Sequence, residues 1–302
     1  MIRPPVLHSD DKAVIVSPAG KIDSLMVDKA AAILCEWGLR VEVAPNALRQ
    51  AGRFSGFVDQ RLSDLQTAMD DPDVKLILCS RGGYGVVHLL DKLNFEGIKQ
   101  FPKWLVGFSD ITALHAVFQK NGIVSLHAPM AKHLAEEGSA DISVRFMKSV
   151  LFGSHLKYDL PAMRYDFLNR LGQSSGTLFG GNLSVFCSLL GTKYINIPRK
   201  GILFIEDIGE EPYRVDRMIH QLKLAGVFDK INGLIVGQFT DYNEDDQMYA
   251  SLNESIMTAV REYTFPVCFD FPVGHAKHNF PMLMGERASL NVKKKQILFK
   301  QK

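Results

Sequence analysis

The sequence predicts an α/β fold in two parts, an N-terminal parallel-sheet α/β domain with a serine on a nucleophile-elbow turn and a second, smaller C-terminal α/β domain. Three observations predict it. The chain has 302 residues, more than one hydrophobic core usually supports, since single cores stop growing near ~250–300 residues. Its first half repeats a short apolar run, a glycine-rich turn and a stretch of helical spacing, the pattern of a parallel sheet. Polar residues of chemical interest fall in the turns after those runs, where open α/β sheets gather their functional groups.

Taken in order, Ala13 to Ser17 and Val41 to Val43 read as strands around a helical stretch from Ile22 to Trp37, with apolar residues three and four apart. Leu76 to Cys79 is a short apolar run closed by Ser80-Arg81-Gly82-Gly83, and Tyr84 to Leu93 resumes helical spacing. Trp104 to Phe108 is another strand, and Ile111 to Gln119 reads as the helix after it. From about Ser139 to Ser175 the pattern changes to mixed charge with Pro161 and no long amphipathic period. This segment reads as a connection, giving domains at 1–150 and 176–302 joined by 151–175. The second part opens on Gly180-Gly181-Asn182, continues with the apolar strand Gly201 to Ile205 ending in Glu206-Asp207, and has a helix at Tyr213 to Ala225 and a strand at Gly233 to Gln238. After the acidic loop Asp241 to Asp246, the C-terminus alternates as β-strand at Ala288 to Val292 and closes on Ile297-Leu298-Phe299.

Composition narrows the class. With 46% hydrophobic and 23% charged residues the chain is an ordinary globular protein, and its formal charge of +2 is too small for a general phosphate-binding surface, so nucleic acid is not expected as a partner. There is no apolar run of the length a transmembrane helix needs, and the N-terminus turns acidic at Asp10-Asp11 where a secretory signal is apolar, so a cytoplasmic protein without membrane partners is expected. Cys35, Cys79, Cys187 and Cys268 form no C-x-x-C pair, which argues against a disulfide framework and a cysteine zinc site.

Three places suit chemistry. Gly107-Phe108-Ser109-Asp110 joins a strand to a helix. Such a turn lifts a hydroxyl above the sheet and aims the next N–H, that of Asp110, at an oxyanion. The usual elbow is G-x-S-x-G, and Ile111 stands at its last position; either Ser109 or Asp110 would also serve as a helix cap. Ser80-Arg81-Gly82-Gly83-Tyr84-Gly85 follows another strand. It matches neither a P-loop nor a dinucleotide fingerprint, and Gly82 or Gly83 suits a second oxyanion donor as well as a plain tight turn. A serine needs a base, and the base an orienting carboxylate. His88, His115 and His220 fall within helical stretches and read as structural, whereas His275 follows a short apolar run and a glycine in a polar loop. His275 and His278 also have the look of a metal pair, but no H-E-x-x-H and no nearby third ligand accompanies them, so no metal is expected. Glu206 ends an apolar strand where an orienting acid belongs, with Asp207 and Glu210 as rivals. Asn182, in its Gly-Gly-Asn turn, suits either a substrate hydrogen bond or the turn itself.

Together Arg81-Gly-Gly-Tyr-Gly, Gly107-Phe-Ser-Asp, Gly180-Gly-Asn-Leu, Ile205-Glu-Asp with Glu210 and Pro212-Tyr-Arg, and Pro272-Val-Gly-His275 resemble the LD-carboxypeptidase family of serine peptidases. The resemblance runs from Ser17-Pro18-Ala19-Gly20 to Gly274-His275. It implies a triad of Ser109, His275 and Glu206, formed between the two domains, with backbone oxyanion donors at Gly83 (or Gly82) and Asp110. It also implies no cofactor, a homodimer, and removal of the terminal D-alanine from murein tetrapeptides during cytoplasmic peptidoglycan recycling. A related branch, the microcin-immunity peptidases, hydrolyses an amide in a peptidyl-nucleotide; Arg81-Gly-Gly-Tyr-Gly followed by Leu89, Leu90 and Asp91 looks closer to the recycling branch. Arg81 is the candidate to read the substrate's free carboxylate. A non-catalytic peptide-binding module is the alternative from another class.

Overall fold

The computed structural model describes residues 1–161 and 165–301. The chain divides into two compact units, one of Met1–Ser154 with Phe280–Met284, the other of His155–Asn279 with Gly285–Lys302. In chain order the strands are β1 Lys12–Val16, β2 Arg40–Val43, β3 Val74–Cys79, β4 Trp104–Gly107, β5 Ser125–His127, β6 Leu156–Pro161, β7 Gly172–Asn182, β8 Gly201–Ile208, β9 Ile231–Thr240, β10 Val267–Cys268, β11 Met282–Met284, β12 Arg287–Lys293 and β13 Gln296–Gln301. The helices are α1 Ser24–Glu36, α2 Val58–Asp70, α3 Glu96–Gln100, α4 Thr112–Lys120, α5 Ala131–Glu137, α6 Ile142–Leu151, α7 Leu183–Ser188, α8 Pro212–Leu224 and α9 Leu252–Ala259.

The first unit is a six-stranded sheet in the order β11-β5-β4-β3-β1-β2. Its pairings are parallel except β11 with β5, so the sheet is mixed at one edge. β4 is buried along its whole length, and β1 and β3 nearly so, as befits strands covered on both faces. α1 starts where Asp23 Oδ1 accepts the Leu25 N–H at 2.8 Å, and it buries Val27, Ala30, Ile33 and Leu34 at helical spacing.

The second unit has a seven-stranded sheet, β10-β9-β8-β7-β12-β13-β6. From β10 to β7 the pairs are parallel, and from β7 to β6 antiparallel. The parallel half packs α7, α8 and α9 into a core that includes Phe179, Leu203, Ile219, Phe228 and Ile256. The alternating burial of β12 and β13 matches the alternation in their sequence.

Two expectations about local structure do not hold. The helical spacing from Tyr84 to Leu93 yields only a short 3₁₀ turn at Val86–His88, because Gly85 adopts φ +129° and the Val86 N–H is captured by the Asp110 carboxylate at 2.9 Å. The segment from Ser139 to Ser175, without a long amphipathic period in its sequence, nonetheless holds α6, β6 and the start of β7, with residues 162–164 outside the described part. β6 pairs with β13 at the far end of the chain, a long-range partner that no local pattern announces.

Candidate active site

In the first unit the candidate serine sits at the carboxyl end of β4. Phe108 is extended at φ −152°, and Ser109 then turns into the left-handed region at φ +64° before the chain enters α4. That conformation costs a non-glycine residue on the order of 1–3 kcal/mol and persists only where surrounding structure imposes it. The close approaches that impose it fall at two glycines. A Cβ on Gly107 would stand 2.9 Å from Ile111 Cγ1, so Ile111 closes the elbow over a bare backbone. A Cβ on Gly82 would stand 2.6 Å from Ser109 Cβ, 2.7 Å from its Oγ and 3.4 Å from the Asp110 nitrogen. The structure thus brings the Gly82–Gly83 turn against Ser109 and Asp110. The Gly82 carbonyl accepts the Gly20 N–H at 3.1 Å, and Gly83 takes φ +114°.

Asp110 is buried, and burial raises its pKa to about 6, opposed by the Val86 N–H and the charge of Arg61. Arg61, on the buried face of α2, donates from Nη1 to Pro18 O at 2.7 Å and Gly85 O at 2.8 Å. Sequence reasoning did not single it out; the available signal was a charge at a position where the α2 period calls for an apolar side chain. Arg81 is half-buried, donates Nη1 to Lys21 O at 3.3 Å, and keeps a buried Nε with no hydrogen-bond partner among the described residues.

Of the histidines in helical stretches, His115 is bound into the scaffold. His115 is buried between Ser125 Oγ at 2.8 Å and Gly107 O at 2.9 Å, and burial lowers its pKa to about 4. Neutral imidazole bridges β4 and β5 in this way. His88 ends the 3₁₀ turn, and His220 lies exposed on α8 with Nδ1 2.9 Å from Asp216 O.

In the second unit β8 delivers Glu206 fully buried, its Oε2 accepting His275 Nδ1–H at 2.7 Å and the His275 backbone N–H at 3.2 Å. The close approach again needs bare backbone. Gly274 has φ +115°, and a Cβ there would stand 2.6 Å from Glu206 Oε2. Gly274 N–H donates to Asn279 Oδ1 at 3.0 Å and Thr240 Oγ1 to His275 O at 2.9 Å, so the loop is held on both sides of the imidazole. With the Nδ1 proton directed at the carboxylate, Nε2 is the basic nitrogen. Burial opposes a charged imidazolium, but Glu206, helped by Asp207 and Asp241, outweighs it and raises the His275 pKa above its ordinary value.

The rivals of Glu206 are engaged elsewhere. Asp207 accepts Asn182 Nδ2–H at 2.8 Å and the N–H groups of Ser184 and Ile208, each at 2.9 Å, while burial and the neighbouring Glu206 charge raise its pKa to about 6. Glu210 lies 4.0 Å from Arg214 one helical turn on. Asn182 is buried with Oδ1 capping α7 through Val185 N–H at 3.2 Å, so its amide serves the turn. His278 is exposed, and among the described residues no group of three or more His, Cys, Asp or Glu is placed to hold a metal ion.

The chain resembles proteins of known name over nearly its whole length. Residues 14–128 match the model of the LD-carboxypeptidase N-terminal domain and residues 175–290 that of the C-terminal domain. A protein of Bacillus subtilis named a probable murein peptide carboxypeptidase is 32% identical over 97% of this chain and 92% of its own. The murein tetrapeptide carboxypeptidase of Pseudomonas aeruginosa is 28% identical over 93% of each. The crystal structure of muramoyltetrapeptide carboxypeptidase from Oxalobacter formigenes superposes with a TM-score of 0.87 at 28% identity, covering 96% of this chain and 98% of that one. Both domain models match in order and relatives align over nearly the full length, so this chain belongs to the LD-carboxypeptidase family.

Proposed function

We propose that this protein is a serine carboxypeptidase that hydrolyses the L,D-peptide bond releasing terminal D-alanine from murein tetrapeptides. The observation that carries the reading is the Glu206–His275 hydrogen bond, 2.7 Å long with the carboxylate fully buried. Family membership makes the chain a peptidase, and relatives named for murein peptides supply the substrate class.

In this reading Ser109 Oγ attacks the carbonyl carbon of the L-centre while His275 Nε2 takes its proton. The Asp110 N–H and that of Gly83 (or Gly82) receive the developing oxyanion, a contribution of ~3–4 kcal/mol per donor in such sites. The C–N bond then breaks as His275 returns the proton to the amine of D-alanine. Water, deprotonated by the same nitrogen, cleaves the acyl-enzyme. Glu206 stays ionised, holds the imidazole tautomer and balances its charge. Arg81 is our candidate for the substrate's terminal carboxylate, by a charge-assisted hydrogen bond. A role in recycling murein fragments in the cytoplasm, as a homodimer, completes the proposal.

The test is release of D-alanine from L-Ala-D-Glu-diaminopimelate-D-Ala, with the L-alanine-terminated isomer and an aminoacyl sulfamoyl adenosine as comparisons. Turnover of the first alone is expected, and Ser109→Ala is expected to lower kcat by about 10⁴-fold or more, because triad members act as a unit. Cleavage of only the adenosine derivative would replace the substrate assignment, and undiminished turnover by Ser109→Ala would remove the nucleophile.

A further inference from the structure

The turn proposed to supply the second oxyanion donor is built on glycines, and its Gly82 carbonyl accepts the Gly20 N–H at 3.1 Å. Gly83 and Gly85 take φ +114° and +129°, and a Cβ at Gly83 would meet only Gly20 within 4 Å. Glycines in such conformations have other wells open to them, so the direction of an N–H in this turn depends on groups outside it. Two such groups are present in the first unit. Arg61 Nη1 donates to Pro18 O at 2.7 Å on one side and to Gly85 O at 2.8 Å on the other, and its guanidinium lies 5.1 Å from the centre of the Phe54 ring. The turn wraps this group closely, since a Cβ on Gly85 would stand 2.8 Å from Nη1 and 2.9 Å from Phe54 Cδ1. From the opposite side Asp110 Oδ2 accepts the Val86 N–H at 2.9 Å. Asp110 therefore ties its carboxylate to the turn that faces its own backbone N–H. The guanidinium charge also acts on that carboxylate.

An arginine only 2% exposed is a costly way to fill a helix face, since an unpaired buried charge is penalised by several kcal/mol. Its neighbours on that face include Leu65, Ala68 and Met69, any of which shows what would pack there more simply. What an apolar side chain could not do is fix two carbonyls from one point.

We infer that Arg61 and the Asp110 carboxylate are positioning groups that clamp the Gly82–Gly85 turn and thereby set the direction of its oxyanion donor, so that α2 contributes to the transition state without touching substrate. The inference rests on the reading of Ser109 as the nucleophile. It differs from a purely structural role in where the loss appears: the oxyanion forms only in the transition state, so a loosened clamp lowers kcat and leaves KM alone.

The experiment uses the full chain with Arg61→Met, Arg61→Lys and Asp110→Asn. It measures kcat and KM for the tetrapeptide, the melting temperature, and the rate at which a fluorophosphonate phosphonylates Ser109, a reaction in which Oγ–P forms, P–F breaks and the phosphoryl oxygen needs the same donors. Arg61→Met is expected to lower both kcat and the labelling rate by about 10- to 100-fold, somewhat less than loss of a donor itself, with KM within about twofold. Arg61→Lys is expected to recover most of this, because the two carbonyl hydrogen bonds leave a single nitrogen and only the longer 3.5 Å contact of Nη2 with His88 Nδ1 is lost. Should Arg61→Met fail to fold, Asp110→Asn, which keeps the backbone N–H, is expected to lower kcat and labelling together at constant KM. Folded Arg61→Met labelled within twofold of the unaltered protein would overturn the inference, as would unchanged labelling in both Arg61→Lys and Asp110→Asn where the methionine variant does not fold. If Ser109 of the unaltered protein is not labelled and Ser109→Ala retains turnover, the nucleophile reading falls and the clamp falls with it; labelling that is present but insensitive to position 61 overturns the clamp alone.

Discussion

His275 shows how one residue's chemistry is set by opposed effects. Burial by itself would push its pKa down, but the Glu206 carboxylate 2.7 Å from Nδ1 reverses the direction. A general base must be neutral to accept a proton, so kcat/KM is expected to rise with pH through the raised His275 pKa, above the ordinary 6.5. Glu206→Gln keeps the size of the side chain and removes the charge. Burial then dominates, and the rising limb is expected to shift to lower pH while kcat/KM falls by about 10³- to 10⁴-fold. The same linkage acts on stability: a raised histidine pKa stabilises the fold below the unfolded value, and this is lost as pH rises through the folded one. A pH–rate profile of the glutamine variant checks it, and an unmoved limb would mean that another group sets the titration. In the sequence, Glu206 was legible as the end of an apolar strand and His275 as a polar residue after a glycine. The residue pattern alone left Asp207 as a rival, because neighbouring strand residues face opposite ways and only the finished sheet says which face the His275 loop covers; the family resemblance was what pointed to Glu206.

Elements were legible where their pattern is local and lost where their partner is distant. β1, β3 and β4 announce themselves as apolar runs before glycine or serine turns, and α1 by its period. β6 and β11 do not, since each exists by pairing with a strand more than a hundred residues away in the chain. Lys103 is a further example, a charged residue that helps anchor one element to another. It is fully buried beside β4, and its ammonium donates to Ala68 O at 3.3 Å and to Asp71 O, carbonyls at the C-terminal end of α2 where the helix dipole favours a cation. Burial lowers its pKa to about 8 against the pull of Asp71. The folded state therefore holds this proton more weakly than the unfolded chain, so unfolding takes up a proton between about 8 and 10.5, and stability contributed by this group climbs with pH across that window. Lys103→Met is expected to lose about 1–3 kcal/mol at pH 7, from carbonyls left without their donor, and to lose the climb as well. Urea denaturation at pH 7 and pH 10 reads both quantities. An unchanged pH slope in the methionine variant would show that the proton uptake belongs elsewhere.

At the scale of the whole chain, sequence order and structural units do not coincide. The first unit takes its edge strand β11 from Phe280–Met284, a five-residue return inside a stretch that otherwise belongs to the second. β11 is fully buried, and its register on β5 sets Met282 opposite His127 and Leu283 opposite Leu126. The last two strands close the second sheet: β12 lies between β7 and β13, and β13 between β12 and β6. A chain cut after Asn279 thus loses something from each unit. In the first, the β5 edge is stripped and presents unpaired backbone groups beside apolar side chains; in the second, β6 has no neighbour and the β7 edge opens. Exposed edges of that kind are templates for aggregation, and a buried N–H or C=O left without a partner costs on the order of 1–3 kcal/mol. The fragment 1–279 is therefore expected to be insoluble or aggregated even though it keeps Ser109, Glu206 and His275, and supplying the missing segment as a separate peptide is not expected to restore it, because that peptide would have to order strands in two sheets at once. Size-exclusion chromatography and hydrogen exchange at β5 and β7 decide the matter: a monodisperse fragment with protected amides in both strands would show that the units close without their C-terminal strands.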